Sequence, residues 1–152
     1  MQNKLLYTYF SDDDFLRVSN KIQEMEKITS GEIRVSFKET KPVLKKRKSI
    51  RSIAEEEFAK LEMNTTRDKT GILIFILLKE RQFYILADSG INIKVEQTVW
   101  DSVRNNMQNE FKNGNYLSGI LSAIEQVGKI LSEHFPIKSD DTNELSNKVV
   151  ID

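Results

Sequence analysis

The chain has 152 residues, of which 39% are hydrophobic and 9% aromatic, so it is long enough to form one globular domain with a buried core. Its 23 basic and 23 acidic residues give a formal net charge of zero, which argues against a general attraction to nucleic acid or to anionic membranes. The sequence contains no cysteine, which excludes disulfides, thiolate zinc sites and cysteine nucleophiles.

The N-terminal half predicts a helix, a strand and a second helix. Ser11 and Asp14 form an N-cap pattern, and apolar residues then recur at helical spacing as far as Ile28. Residues 32–37 alternate between apolar and polar, which predicts a strand with one buried face. A basic loop at residues 38–49 precedes the second helix, whose predicted buried face is Ile50, Ile53, Phe58 and Leu61.

The C-terminal half predicts a β-hairpin followed by two helices. Residues 71–78 are apolar on both faces, as in a central strand, and a polar turn leads into an antiparallel partner at residues 82–87. The two helices follow, with Trp100 in the first as a core or interface residue. We expect a polar, mobile tail at residues 138–152, in which residues 149–151 are apolar and could dock onto the domain.

These elements predict one α/β domain over residues 1–137. Helices lie before, between and after three strands, which is typical of a layered α/β sandwich. The first two strands are joined by a helical crossover and should be parallel, and the hairpin adds an antiparallel strand. The predicted fold is therefore a small mixed sheet packed between helices.

The predicted topology brings oxygen-rich residues to one end of the sheet. Glu32 opens the first strand, Thr66 and Asp68 precede the second, and Asp88 closes the third, antiparallel strand. These ends meet at one edge, so three carboxylates should converge there with nearby hydroxyls, and Asp101 on the next helix could join them. Oxygen ligands of this kind suit Ca²⁺ or Mg²⁺. Each residue has an alternative as an ordinary turn or solvated residue.

Other features give weaker functional signals. Lys41, Lys45, Lys46, Arg47, Lys48 and Arg51 form a basic cluster that could meet phosphate groups. It has no interleaved aromatic residue, so we expect a solvated loop and no nucleic-acid partner. The single histidine, His134, lies at the end of the last predicted helix, and nothing in the sequence places a serine beside it as in a catalytic triad. Dinucleotide, P-loop, zinc-protease, EF-hand and serine-hydrolase motifs are absent. With no signal peptide or membrane-spanning run, we expect a cytoplasmic protein.

Four short segments carry a resemblance to a known family. Residues 29–35 (TSGEIRV), 54–58, 71–75 (GILIF) and 87–91 (ADSGI) resemble the TPM domain family, and residues 134–136 and 143–145 are similar to the close of its compact, stand-alone bacterial members. The similarity covers residues 10–147. The family includes thylakoid lumen proteins linked to photosystem repair and a receptor-accessory protein. We expect this chain to differ from many members in having neither a signal peptide nor a membrane anchor.

The resemblance implies an α/β fold with a sheet between helices. It also implies binding of calcium or another divalent cation, as in some members. A further implied function is the acid phosphatase activity that is ascribed to some plant members. Asp88 matches the family position most clearly, and Glu32 lies in the strand-opening motif. Thr66, Asp68 and Asp101 rest on the topology alone.

Two functions remain open from the sequence. The first is a non-catalytic module in which Ca²⁺ or Mg²⁺ orders the loops and a protein partner reads that surface. The second is a metal-assisted phosphoesterase, in which the cation activates water and Arg34, Arg67 or Lys69 neutralises phosphate charge. The sequence favours the first, because it shows no recognisable general acid, general base or nucleophile.

Overall fold

A computed structural model describes residues 4–137 and 149–151. Within these ranges the helices are α1 (Leu6–Tyr9), α2 (Asp12–Glu26), α3 (Ile50–Lys60), α4 (Ser89–Asn92), α5 (Gln97–Lys112) and α6 (Tyr116–His134). The strands are β1 (Glu32–Lys38), β2 (Gly71–Leu77), β3 (Gln82–Ala87) and β4 (Val150–Ile151). The structure confirms the predicted fold class.

The strands form one mixed sheet in the order β3–β2–β1–β4. β1 and β2 are parallel, as the helical crossover requires, and β2 and β3 form the antiparallel hairpin. β4 adds two residues in parallel beside Ser36 and Phe37 of β1. The apolar end of the tail thus pairs with the sheet, whereas residues 138–148 and 152 of the predicted mobile tail lie outside the described residues.

The sheet separates two hydrophobic clusters. Ile72, Ile74 and Ile76 of β2 face the larger cluster, which α2, α5 and α6 cover. The alternate residues Leu73, Phe75 and Leu77 face the smaller cluster beneath α3. All seven residues of β2 are buried, and this explains why the strand is apolar throughout its length.

The helix ends differ in detail from the sequence prediction. Ser11 forms the capping box with Asp14 as predicted, but α2 ends at Glu26, and Ile28 is 45% exposed. Asp88 follows β3 as predicted, but it also caps the short helix α4, which the sequence did not predict. Trp100 is a core residue, with no exposed surface. In the part of the chain that the structure describes, no helix is long and apolar enough to span a bilayer.

The hairpin turn between β2 and β3 contains a strained residue. Arg81 lies in the left-handed region at φ 54°, and its N–H donates to the Leu78 carbonyl. The left-handed conformation destabilises a residue that has a β-carbon by about 1–2 kcal/mol. This exceeds the free-energy cost of the extra backbone entropy that glycine loses on folding. We therefore expect Arg81→Gly to raise the free energy of unfolding by about 0.5 kcal/mol in urea titrations. Lys79→Gly, in the same turn without positive φ, should instead lower it.

Candidate functional site

The sheet register brings three backbone positions together at one end of the sheet. Glu32 pairs with Gly71 across β1 and β2, and the Asp88 N–H donates to the Gly71 carbonyl at 2.9 Å on the other side. Directly opposed residues point to the same face of a sheet. Glu32 and Asp88 therefore flank Gly71 on the face that α3 covers.

Met63 lies over Gly71, the residue that Glu32 and Asp88 flank. A β-carbon on Gly71 would lie 3.1 Å from the Met63 carbonyl oxygen and 3.6 Å from its methyl group. Met63 has no exposed surface and belongs to the smaller hydrophobic cluster. An apolar side chain therefore covers the backbone position between the two acidic residues.

Glu32 instead lies beside Glu26, at the last turn of α2. Glu32 is 4% exposed. Glu26 Oε2 accepts a hydrogen bond of 2.7 Å from the Ile33 N–H, in the part of β1 that does not pair with β4. Burial, and to a lesser extent the neighbouring Glu32, raise the pKa of Glu26 to about 9. Glu26 therefore favours its protonated, neutral form at neutral pH, and its other oxygen, Oε1, is buried with no hydrogen-bond partner among the described residues. The sequence gives no sign of this arrangement, because Glu26 resembles any polar residue at a helix end.

Asp88 has one engaged and one unpartnered carboxylate oxygen. Its Oδ1 accepts a hydrogen bond of 2.7 Å from the Ser89 N–H, as expected of a residue that caps α4. Its Oδ2 is buried and has no hydrogen-bond partner among the described residues. A buried polar atom without a partner costs stability and calls for an explanation, such as a bound ion or water.

The loop before β2 packs its backbone against the turn after β3. The Gly90 N–H donates to the Lys69 carbonyl at 2.9 Å, and the Asp68 carbonyl oxygen lies 2.2 Å from the point that a Gly90 β-carbon would occupy. Thr66 is 2% exposed, and its hydroxyl accepts from the Thr70 N–H. The Asp68 side chain is exposed and lies 3.6 Å from Arg67. The loop therefore presents main-chain oxygens, not the Thr66 hydroxyl, beside the turn that Asp88 opens.

Asp101 lies apart from this end of the sheet. Its Oδ1 accepts from the Gln97 side chain at 3.0 Å, and that same amide donates to the Ile85 carbonyl. Ile85 precedes Asp88 by about 10 Å of extended strand. Within residues 4–137 and 149–151, no group of three or more His, Cys, Asp or Glu side chains could hold a metal ion. The convergence of three carboxylates expected from the topology is not seen there.

A cavity of about 330 Å³ opens at the opposite end of the sheet. Its lining includes Tyr9, Leu78, Arg81, Phe83, Phe111 and Tyr116. Leu78 and Arg81 belong to the β2–β3 turn, whereas Gly71 and Asp88 lie at the other ends of these strands. The cavity and the predicted carboxylate site are therefore separate features.

Comparisons with known proteins agree with the resemblance found in the sequence. A family model described as the TPM domain matches residues 7–130. The NMR structure of BA42 protein from the psychrophilic bacterium Bizionia argentinensis is 33% identical, with a TM-score of 0.84, and the match covers 95% of this chain and 96% of that one. No curated protein matches the sequence.

A second solved structure shares the fold alone. It is the solution NMR structure of the N-terminal domain of a protein from P. gingivalis, with 12% identity and a TM-score of 0.68. The match covers 84% of this chain and 79% of that one. At this identity the similarity supports the arrangement of helices and strands and says nothing about the site.

Proposed function

This chain belongs to the TPM domain family, and on that premise we propose that it is a module that binds a divalent cation, Ca²⁺ or Mg²⁺. The ion would bind through Asp88 and the loop at residues 66–70, and the ordered surface would then bind a protein partner. The observation that carries this proposal is the buried Oδ2 atom of Asp88, which has no hydrogen-bond partner among the described residues. A cation would satisfy this oxygen and remove the cost of burying it.

The oxygen donors near Asp88 are compatible with a hard cation. The Gly90 backbone contacts the main-chain carbonyls of Asp68 and Lys69, and carboxylate and carbonyl oxygens are the ligands that Ca²⁺ and Mg²⁺ prefer. A carbonyl has two lone pairs, so Lys69 can accept from Gly90 and still bind an ion. With one fixed carboxylate, we expect a weak site with a Kd of about 10⁻⁴–10⁻³ M.

Asp88→Asn tests this site. Asparagine is as good an N-cap as aspartate and keeps the Oδ1 acceptor, so the fold should persist while the ligand charge is lost. We expect at least about a tenfold weaker affinity for Ca²⁺ or Mg²⁺, measured from backbone amide shifts during a titration of metal-free protein. In the wild type these shifts should localise to residues 66–71 and 88–91.

Asp101→Asn is the matched control. It makes the same chemical change at a carboxylate that bonds to Gln97 instead, and the affinity should stay unchanged. Equal losses in both variants would indicate a general effect of charge, and an unchanged affinity in Asp88→Asn would reject the proposed ligand.

The non-catalytic role is supported by the type of donor beside Asp88. One carboxylate and the main-chain carbonyls of Asp68 and Lys69 suit an ion that orders a loop better than one that activates water. The alternative function, a metal-assisted phosphoesterase, draws support from Arg67, whose guanidinium lies 3.6 Å from Asp68 and could contact phosphate. Hydrolysis of p-nitrophenyl phosphate that requires Ca²⁺ or Mg²⁺ and disappears in Asp88→Asn would favour this alternative.

A further inference from the structure

The loop between β1 and α3 combines a dense positive charge with exposed aliphatic side chains. Residues 41–51 carry six of the chain's 23 basic residues and no acidic residue. A single 3₁₀ turn, Val43–Lys45, lies within the loop. Val43 is 77% exposed and Leu44 is 96% exposed. We call these two residues the apolar tip and residues 41–51, which end in the first turn of α3, the basic loop.

The structure holds the basic loop in a defined shape. The Lys41 ammonium donates to the carbonyls of Lys46, at 3.3 Å, and Lys48, at 2.9 Å. At the other end of the loop, Ser49 caps α3 by accepting from the Ser52 N–H. The apolar tip therefore lies in a loop that hydrogen bonds close on itself.

Part of the positive charge beside the tip is not neutralised by the domain. Lys48 and Arg51 pair with Glu56 and Glu55 of α3. Lys46 and Arg47 are exposed and form no ion pair with any residue in the described ranges. The zero net charge of the whole chain thus conceals a local surface that attracts anions.

We propose that the basic loop docks this protein on an anionic lipid bilayer, with the apolar tip inserted at the boundary between headgroups and acyl chains and Lys46 and Arg47 against the lipid phosphates. Binding to an anionic bilayer uses both features. Aliphatic side chains lower their free energy by leaving water, and basic side chains are attracted to anionic headgroups. The protein would lie on the membrane and not span it. The inference does not depend on the proposed cation site.

An anionic bilayer fits the loop better than nucleic acid does. Nucleic-acid surfaces that lack sequence preference combine cations with aromatic side chains on which bases stack, and residues 38–51 contain no aromatic side chain. An aliphatic tip would also stay in water against a phosphate backbone, whereas a bilayer buries it.

Vesicle co-sedimentation of the full chain tests the proposal. We expect binding to phosphatidylcholine vesicles that contain phosphatidylglycerol, little binding to phosphatidylcholine alone, and weakening of the interaction as salt rises. Leu44→Ser should lower the partition coefficient at least about tenfold, and the double variant Lys46→Gln with Arg47→Gln should lower it at least about tenfold as well. Both changes affect exposed side chains, so the fold should persist.

Matched changes elsewhere on the surface provide the controls. Leu16→Ser and Ile93→Ser remove side chains that are 58% and 83% exposed, and Lys27→Gln with Lys112→Gln removes two exposed charges; binding should be unchanged in all three. The proposal fails if phosphatidylglycerol vesicles do not bind at low salt, or if Leu44→Ser binds as well as the wild type. It also fails if the loop charges are required for binding to duplex DNA or RNA but not to vesicles.

Discussion

Gly90→Ala is expected to lower the free energy of unfolding by about 3 kcal/mol or more. A β-carbon at this position would lie 2.2 Å from the Asp68 carbonyl oxygen and 2.5 Å from that of Lys69. Both contacts are with backbone atoms, so no side-chain rotation can relieve them. The loop before β2 would have to move away, which would also lengthen the 2.9 Å hydrogen bond from Gly90 to Lys69.

Urea unfolding, followed by the fluorescence of the buried Trp100, measures this effect. Ser89→Ala is the neighbouring control, because Ser89 is exposed and its loss should change stability by less than about 0.5 kcal/mol. Gly31→Ala provides a second comparison, since its β-carbon would lie 2.9 Å from the Leu131 Cδ1 methyl group, the end of a side chain that can shift. Equal stability of the Gly90 and Gly31 variants would show that the loop and turn are not packed as tightly as described.

Glu26→Gln is expected to remove a pH dependence of stability. The pKa of Glu26 is raised by burial to about 9 from an ordinary value of 4.5. Between these values the native state binds a proton that the unfolded state has released, so the free energy of unfolding falls as pH rises, by at most about 1.4 kcal/mol per pH unit. The full contribution is present below the unfolded pKa and is lost as pH approaches the folded pKa.

The glutamine variant imitates the protonated carboxyl group. Its amide oxygen can still accept from the Ile33 N–H, and its NH₂ group can donate to Glu32. We therefore expect Glu26→Gln to match the wild type near pH 4.5 and to exceed it by at least about 1 kcal/mol near pH 8.

Denaturant midpoints across this pH range provide the measurement, with Glu133→Gln as the control at an exposed carboxylate. Parallel pH profiles for the wild type and Glu26→Gln would contradict the raised pKa of Glu26.

The fold was largely predictable from the sequence because the buried faces of its strands and helices produce regular spacings of apolar residues. Residues 32–37 alternate because one face of β1 contacts the larger hydrophobic cluster, and β2 is continuously apolar because both of its faces are covered. Three elements escaped this logic. α1 and α4 have four residues each, and β4 has two residues whose partners in the sheet lie more than a hundred positions earlier. Elements this short show no detectable periodicity.

The site was predictable only at the level of the backbone. Chain topology was sufficient to infer that Glu32, Gly71 and Asp88 meet at one end of the sheet, since strand direction alone decides which ends are adjacent. The partners of their side chains depend on what fills the space around them. Met63 occupies the position over Gly71, and Glu26 of α2 lies beside Glu32.

The sequence by itself determined the fold class, the central strand, the hairpin and the density of positive charge at residues 41–51, because each follows from the pattern or composition of neighbouring residues. Only the tertiary structure decided that Glu26 lies beside the buried Glu32 with a raised pKa, that Asp88 Oδ2 lacks a hydrogen-bond partner in the described ranges, and that Val43 and Leu44 are exposed. These properties depend on packing between distant segments, and packing sets the solvation, and with it the free energy, of each side chain.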